Sequence, residues 1–374
     1  MVSGIRLPGL LLLAMLVVAL QPAAAAWAFA RAPLERGPAA RPAKALVRWA
    51  PPPLQRPLRV DVPVSGLDAY FAADRDIVLQ LPDVPVQGEV RTTGGDDIRV
   101  VGGKIGGGTS FSGAYGIVAR NLRGSLFVEG VEIDFSRVWD RDNIVATGYA
   151  PGGTGRAGWS YPEVYIQNSR LLGARWSGGP HHPDLYQKQG PQGALFMDRV
   201  TGEASYQGLM IGAQSFSGDP GPGERHVDGM RYTEIRRTDL AHRADHTIGY
   251  LAWLVWNDGS HGFEGDDPWP VVLDGFYLRP VAGQDLPRNL VWPRAGTRVA
   301  GQRRGALILA RDRRSARWTR VSMIRGRVVQ GDPPRGDFVP AGRVGLGYVR
   351  PGYCLGPATR AAAARARKGC GPRG

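Results

Sequence analysis

Apolar positions recur along this chain with a fixed spacing: i, i+2, i+5 and i+7, of which i and i+2 are the most faithful. Ile98-Val100-Gly103-Ile105 is the first copy, Leu126-Val128-Val131-Ile133 the second and Val164-Ile166-Ser169-Leu171 the third. Leu195-Met197-Val200-Gly202, Met230-Tyr232-Ile235-Arg237, Val271-Leu273-Phe276-Leu278 and Val321-Met323-Gly326-Val328 continue the series. Alternation at i and i+2 is one buried face of a β-strand, and the step of three to i+5 is a change of phase at a tight bend. A further short strand lies between copies, at Gly116-Ile117-Val118, Asn143-Ile144-Val145, Asp184-Leu185-Tyr186 and Gly208-Leu209-Met210. No single copy can bury its apolar face alone, so the copies are expected to stack into one continuous core. The copies start 28, 38, 31, 35, 41 and 50 residues apart. Such uneven spacing implies loops inserted at the turns, which in stacked repeats build the binding side. The expected fold is all-β: a parallel β-helix with three short strands per turn, loop insertions and a basic C-terminal extension. A propeller or sandwich fits less well, because the antiparallel hairpin signals those folds need are scarce.

The ends of the chain follow different patterns. Arg6, the apolar run Leu7 to Leu20 and the small residues around Ala24-Ala25-Ala26 and Ala28-Phe29-Ala30 have the layout of a cleaved secretory signal, read as residues 1–30. The run is shorter than the roughly 20 residues of a spanning helix. No other segment is apolar and long enough, so no membrane span is expected once the signal is removed. Residues 31–74 form a lead-in rich in Pro, Ala and Arg, residues 75–350 the stacked repeats, and residues 351–374 a basic tail. With 53 Gly and 30 Pro, many tight turns and few helices are expected. Ala361 to Lys368 is the one stretch that reads as helical.

The repeats, together with the string Gly179-Pro180-His181-His182-Pro183-Asp184-Leu185-Tyr186-Gln187, resemble the pectate-lyase-like superfamily of right-handed parallel β-helices. The string is similar to the H-x-D-x-x-Q strand of exported members. This resemblance covers about residues 75–350. It implies the right hand, which parallel crossovers also favour, and a function among polysaccharide lyases, glycoside hydrolases, epimerases, esterases and adhesins. The chain lacks the R-x-P-x-x-R of classical pectate lyases and the N-T-D with G-H-G of polygalacturonases, so neither activity carries over residue by residue.

Charge narrows the partner. Residues 281–374 carry 20 Lys+Arg against 4 Asp+Glu, whereas 31–280 carry 26 against 29. A basic segment attracts polyanions. For an exported chain these are acidic polysaccharide or envelope glycan rather than nucleic acid. Arg outnumbers Lys 43 to 4, which also fits a compositional bias. The two cysteines, Cys354 and Cys370, are expected to pair in an oxidising compartment, closing a short loop at a gain of about 2–4 kcal/mol.

The densest polar cluster is His181, His182, Asp184, Tyr186, Gln187, Lys188 and Gln189. Strand alternation places His182, Asp184 and Tyr186 on one face, with Leu185 and Gln187 on the other. Asp142 and Asn143 occupy the equivalent place one turn earlier, about 4.8 Å away if the turns stack. His226 and Asp228 form a second H-x-D. In a lyase, His182, Lys188 or Tyr186 takes the proton beside a uronate carboxylate, with Arg or a bound cation neutralising that carboxylate. In a hydrolase, Asp184 with Asp142 or Asp228 flanks the glycosidic bond. The catalytic candidates are thus His182, Asp184, Tyr186, Lys188 and Asp228. The substrate-binding candidates are His181, Gln187, Asp142, Tyr206 and His226, with the loop aromatics Trp159, Trp253 and Trp256, whose flat faces suit sugar rings. The competing structural reading makes these groups a polar ladder along the stack. The loop that holds Asp258, His261, Glu264, Asp266 and Asp267 carries carboxylate oxygens of the type that binds Ca²⁺, without the spacing of a known loop; a solvated acidic turn is the favoured reading and Ca²⁺ the alternative. The lyase is favoured over the hydrolase, and the alternative is a glycan-binding or envelope-structural protein of the same fold.

Overall fold

The structure, a computed structural model, describes residues 46–149, 158–211, 230–245, 250–254, 269–281, 291–292 and 324–355. Those residues are all-β, with two long sheets in which every pairing is parallel. The first sheet has 12 strands and the second 8. The chain alternates between them: Leu58–Asp61 then Leu67–Phe71, Ile77–Gln80 then Gly88–Gly94, Ser125–Glu129 then Asp142–Gly148, Glu163–Leu172 then Tyr186–Lys188. No helix among the described residues is long and apolar enough to cross a membrane.

The repeat is realised as in-register columns. Ile98, Leu126, Val164, Leu195, Thr233 and Val271 stack on one another, as do Val100, Val128, Ile166, Met197, Ile235 and Leu273. In the second sheet Val90, Ile117, Ile144, Tyr186, Leu209, Ala252 and Val291 form the matching inner column. All of these are buried, and most belong to one continuous apolar core.

The change of phase between i+2 and i+5 has a backbone cause. Position i+4 has positive φ in six successive copies: Gly102 (69°), Gly130 (69°), Asn168 (47°), Arg199 (56°), Arg237 (38°) and Gly275 (68°). A left-handed residue at each bend turns the strand while the neighbouring side chains still point inward. Two of these glycines have unlike surroundings. A Cβ on Gly130 would lie 2.1 Å from Cδ1 of Tyr348, whereas one on Gly275 would meet nothing nearer than 3.6 Å. Gly275→Ala is therefore expected to cost about 1 kcal/mol, the backbone penalty alone. Gly130→Ala should cost about 3 kcal/mol, because overpacking against Tyr348 is added. Equal denaturation midpoints for the two variants would contradict this account.

Two repeat copies sit differently from the apolar reading. The fifth uses Thr233, Ile235, Thr238 and Leu240, not Met230-Tyr232-Ile235-Arg237. Hydrophobicity alone could not find it, because two of its inward positions are threonines. Their buried hydroxyls are satisfied, Thr233 Oγ1 by Trp269 Nε1 at 3.1 Å and Thr238 Oγ1 by the Arg236 carbonyl at 2.7 Å. In the last copy Ile324 pairs with Val271 and Val328 with Phe276. Val321 and Met323, assigned to it from the sequence, lie outside the described residues.

The two long sheets begin at Leu58, within the segment read as a lead-in, and end at Gln330. Residues 332–355 then return along the outer face of the first sheet. Val339 N donates to Thr201 Oγ1 (2.9 Å), Gly345 N to the Gly130 carbonyl (2.8 Å), and the Tyr348 and Tyr353 hydroxyls to the two oxygens of buried Glu129 (2.8 and 2.7 Å). Tyr353–Leu355 pairs in parallel with Val47–Trp49, so two distant parts of the chain form one two-stranded strap. Trp49 anchors it on Phe196 and Tyr165, with ring centroids 5.2 and 6.2 Å away. Cys354, within the strap, is disulfide-bonded; Cys370 lies outside the described residues.

Candidate functional site

The site forms where the second sheet begins in two adjacent turns. Ile144 registers on Tyr186, which sets Asp142 level with Asp184, and Asp142 itself registers on Tyr115. Asn143 N donates to the Asp184 carbonyl (2.8 Å), and Asp184 N donates to Asp142 Oδ1 (2.9 Å). The same Asp142 oxygen lies 3.3 Å from Nε2 of His181, an ion-pair contact off the line of a good hydrogen bond. Asp142 is 1% exposed and the His181 side chain 33%, so the carboxylate sits behind the imidazole and the imidazole faces outward.

Two buried carboxyls side by side cannot both ionise cheaply. Asp142 has His181 and a backbone N–H to hold its charge. Asp184 is fully buried, and neither of its oxygens has a hydrogen-bond partner among the described residues. Burial, with the Asp142 charge beside it, pushes the Asp184 carboxyl well above the usual range. Burial also raises Asp142, against the opposing pull of His181. Burial thus favours the neutral form of Asp184, while His181 and a backbone N–H favour the charged form of Asp142.

The two histidines diverge for equally local reasons. Contact with Asp142 raises the pKa of His181 above its ordinary value. His182 stacks on Tyr206 (4.6 Å between centroids, 21° between planes), and Tyr206 in turn lies 4.6 Å from Trp176. Desolvation against these rings, then the nearby His181 charge, lowers the pKa of His182. Adjacent histidines are thus pushed in opposite directions, His181 toward the cation and His182 toward the neutral imidazole. Environments that separate the pKa values of neighbouring groups are how acid and base roles are assigned.

The other expected residues are dispersed. Tyr186 belongs to the core, its hydroxyl donating to Gln192 Oε1 at 2.7 Å. Lys188 registers on Ala146, facing inward, and is fully buried. Gln187 is half-buried on the opposite face, its Oε1 accepting from Gln189 Nε2. Trp159 is half-buried, and Trp253 packs on Tyr250 at 5.4 Å. Asp228, His226 and Trp256 lie outside the described residues, as does the candidate Ca²⁺ loop from Asp258 to Asp267. Among the described residues no group of three or more His, Cys, Asp or Glu is placed to hold a metal. Sequence reasoning did not single out Trp176, which packs tilted against Tyr206 with 48° between the ring planes, or Tyr115, which lies edge-on to His181 at 6.2 Å. Trp176 was signalled only by lying five positions before His181; Tyr115 needed the inter-turn register.

Comparison with protein families, with characterised proteins and with solved structures finds no match to this chain.

Proposed function

We propose that this chain is an exported, right-handed parallel β-helix that cleaves an acidic polysaccharide by β-elimination at His181 and His182. Support for the architecture comes from the strict alternation between two parallel sheets, the column of left-handed bends and the right-handed bias of parallel crossovers. The observation that carries the reaction is the pair of neighbouring histidines with opposite pKa shifts, one of them backed by a buried carboxylate.

In this mechanism the His181 imidazolium, charged through Asp142, neutralises the uronate carboxylate and acidifies the proton on the carbon bearing it. Neutral His182 takes that proton. The C–H electron pair becomes the new C=C bond, the bond from the adjacent carbon to the glycosidic oxygen breaks, and the departing oxygen is protonated by solvent. One product carries an unsaturated uronate end. A hydrolase using Asp142 and Asp184 is less well supported, because both carboxyls are about 1% exposed and a glycosidic acid must reach the bond it protonates.

The test is incubation of the purified protein with a panel of acidic polysaccharides, following ultraviolet absorbance from unsaturated ends alongside new reducing ends. Absorbance rising with one substrate is the expected result. Reducing ends without absorbance would replace the lyase with a hydrolase. Retention on a glycan with neither product would favour the non-catalytic binder, to which the exposed His182 and the Trp176–Tyr206 pair would then belong.

A further inference from the structure

Beside the histidines lies a second pair of side chains that the elimination does not use. Trp139 is 51% exposed, one of few large apolar side chains so open to solvent among the described residues. It is joined to the next turn by a parallel bridge to Arg175, whose guanidinium carbon lies 5.6 Å from the indole centroid. The bridge is reinforced on both sides: Asp140 N donates to the Arg175 carbonyl (2.8 Å), Arg175 N to the Val138 carbonyl (2.9 Å), and Ser177 N to Asp140 Oδ1 (2.9 Å). The indole and guanidinium are therefore held on fixed backbone rather than on a free loop.

The same short segment carries both sites. Arg175 is followed directly by Trp176, which lies edge-on to His182 at 6.4 Å, and Trp139 precedes Asp142 by three residues. The guanidinium is also weakly committed. Its one ion-pair partner among the described residues, Asp245, is 3.7 Å away with both groups about half exposed, and Asp245 is already held by Arg243 at 2.9 Å. An exposed pair of that kind is worth little, so a ligand carboxylate can displace it.

We infer that Trp139 and Arg175 form a binding subsite for one uronate unit next to the unit at the histidines. The indole takes the apolar face of the sugar ring, and the guanidinium takes the ring's carboxylate through its two-pronged donor edge. This inference rests on the reading of the site as one for acidic polysaccharide. It adds that recognition requires charge on a unit that does not react.

The experiment is calorimetric titration of His182→Ala protein, whose turnover is expected to be slowed by about 10²–10⁴-fold, with saturated oligogalacturonate and oligomannuronate and with their methyl esters. Trp139→Ala and Arg175→Gln, each added to that background, are expected to weaken binding of the charged oligomer at least tenfold. Arg175→Lys should restore part of the loss, and Arg175→Gln should leave binding of the methyl ester unchanged. Both side chains are exposed, so unchanged thermal midpoints are expected to accompany the loss. If the charged oligomer binds the Trp139 and Arg175 variants as tightly as their parent, the subsite is overturned while the acidic-glycan reading stands. If the parent binds neither oligomer and the unmodified protein yields no unsaturated ends from them, that reading fails, and the subsite with it.

Discussion

His182→Ala is expected to reduce formation of unsaturated uronate ends by about 10²–10⁴-fold, the range that general acid–base groups contribute. The loss should fall on kcat more than on KM, because the proton is transferred only in the transition state. The pH profile gives a sharper signature. His182 must be neutral to act, and its pKa is lowered, so activity should rise with a limb below about 6.5, the ordinary histidine value. His181 must be protonated, and its pKa is raised, so activity should fall with a limb above that value. The product is a bell with its plateau around 6.5. Asp142→Asn removes the first cause of the His181 shift and should move the alkaline limb toward lower pH, leaving the acid limb nearly in place. A single-limbed profile, or an alkaline limb unmoved by Asp142→Asn, would remove His181 from the mechanism.

The second large effect concerns the strap. Trp49 is 2% exposed and closes an aromatic cluster with Phe127, Tyr165 and Phe196. Trp49→Ala is expected to cost about 3–5 kcal/mol, the usual penalty for truncating a buried aromatic. The backbone bonds that Trp49 makes to Gln167 survive the substitution, so the loss isolates side-chain packing. Because the stack of turns holds its own core, the loss should appear first as local opening. Amide exchange is expected to accelerate in both Val47–Trp49 and Tyr353–Leu355, since neither strand has another strand partner among the described residues. Acceleration confined to one of them would mean that the pairing does not hold the strap together.

Much of the site depended on information absent from the linear pattern. The cluster from His181 to Lys188 stood out in the sequence, and so did the equivalence of Asp142 with Asp184, because constant stacking turns an offset along the chain into a contact. The ordering of roles within the cluster did not. Strand alternation put His182, Asp184 and Tyr186 on one face, yet His182 is exposed while Asp184 and Tyr186 are buried. The regular strand there is only Tyr186–Lys188, so alternation cannot be extended back through Pro183 to the histidines. Nor does hydrophobicity reveal that a charged residue such as Lys188 faces inward, since interior burial of Lys goes against its transfer preference.

By itself, the sequence determined the all-β class of the described residues, because alternation at i and i+2 buries its apolar face as a strand in a sheet. It also determined where the titratable groups concentrate. Only the tertiary structure decided the register of the threonine-bearing copy, the left-handed bend at i+4 and the return of residues 332–355 over the first sheet. It alone separated the environments of His181 and His182. These depend on what lies across the stack, on a buried carboxylate from the preceding turn and on aromatic rings from the same loop and the turn after. Such contacts are set by distance in space, which the linear order of residues does not encode.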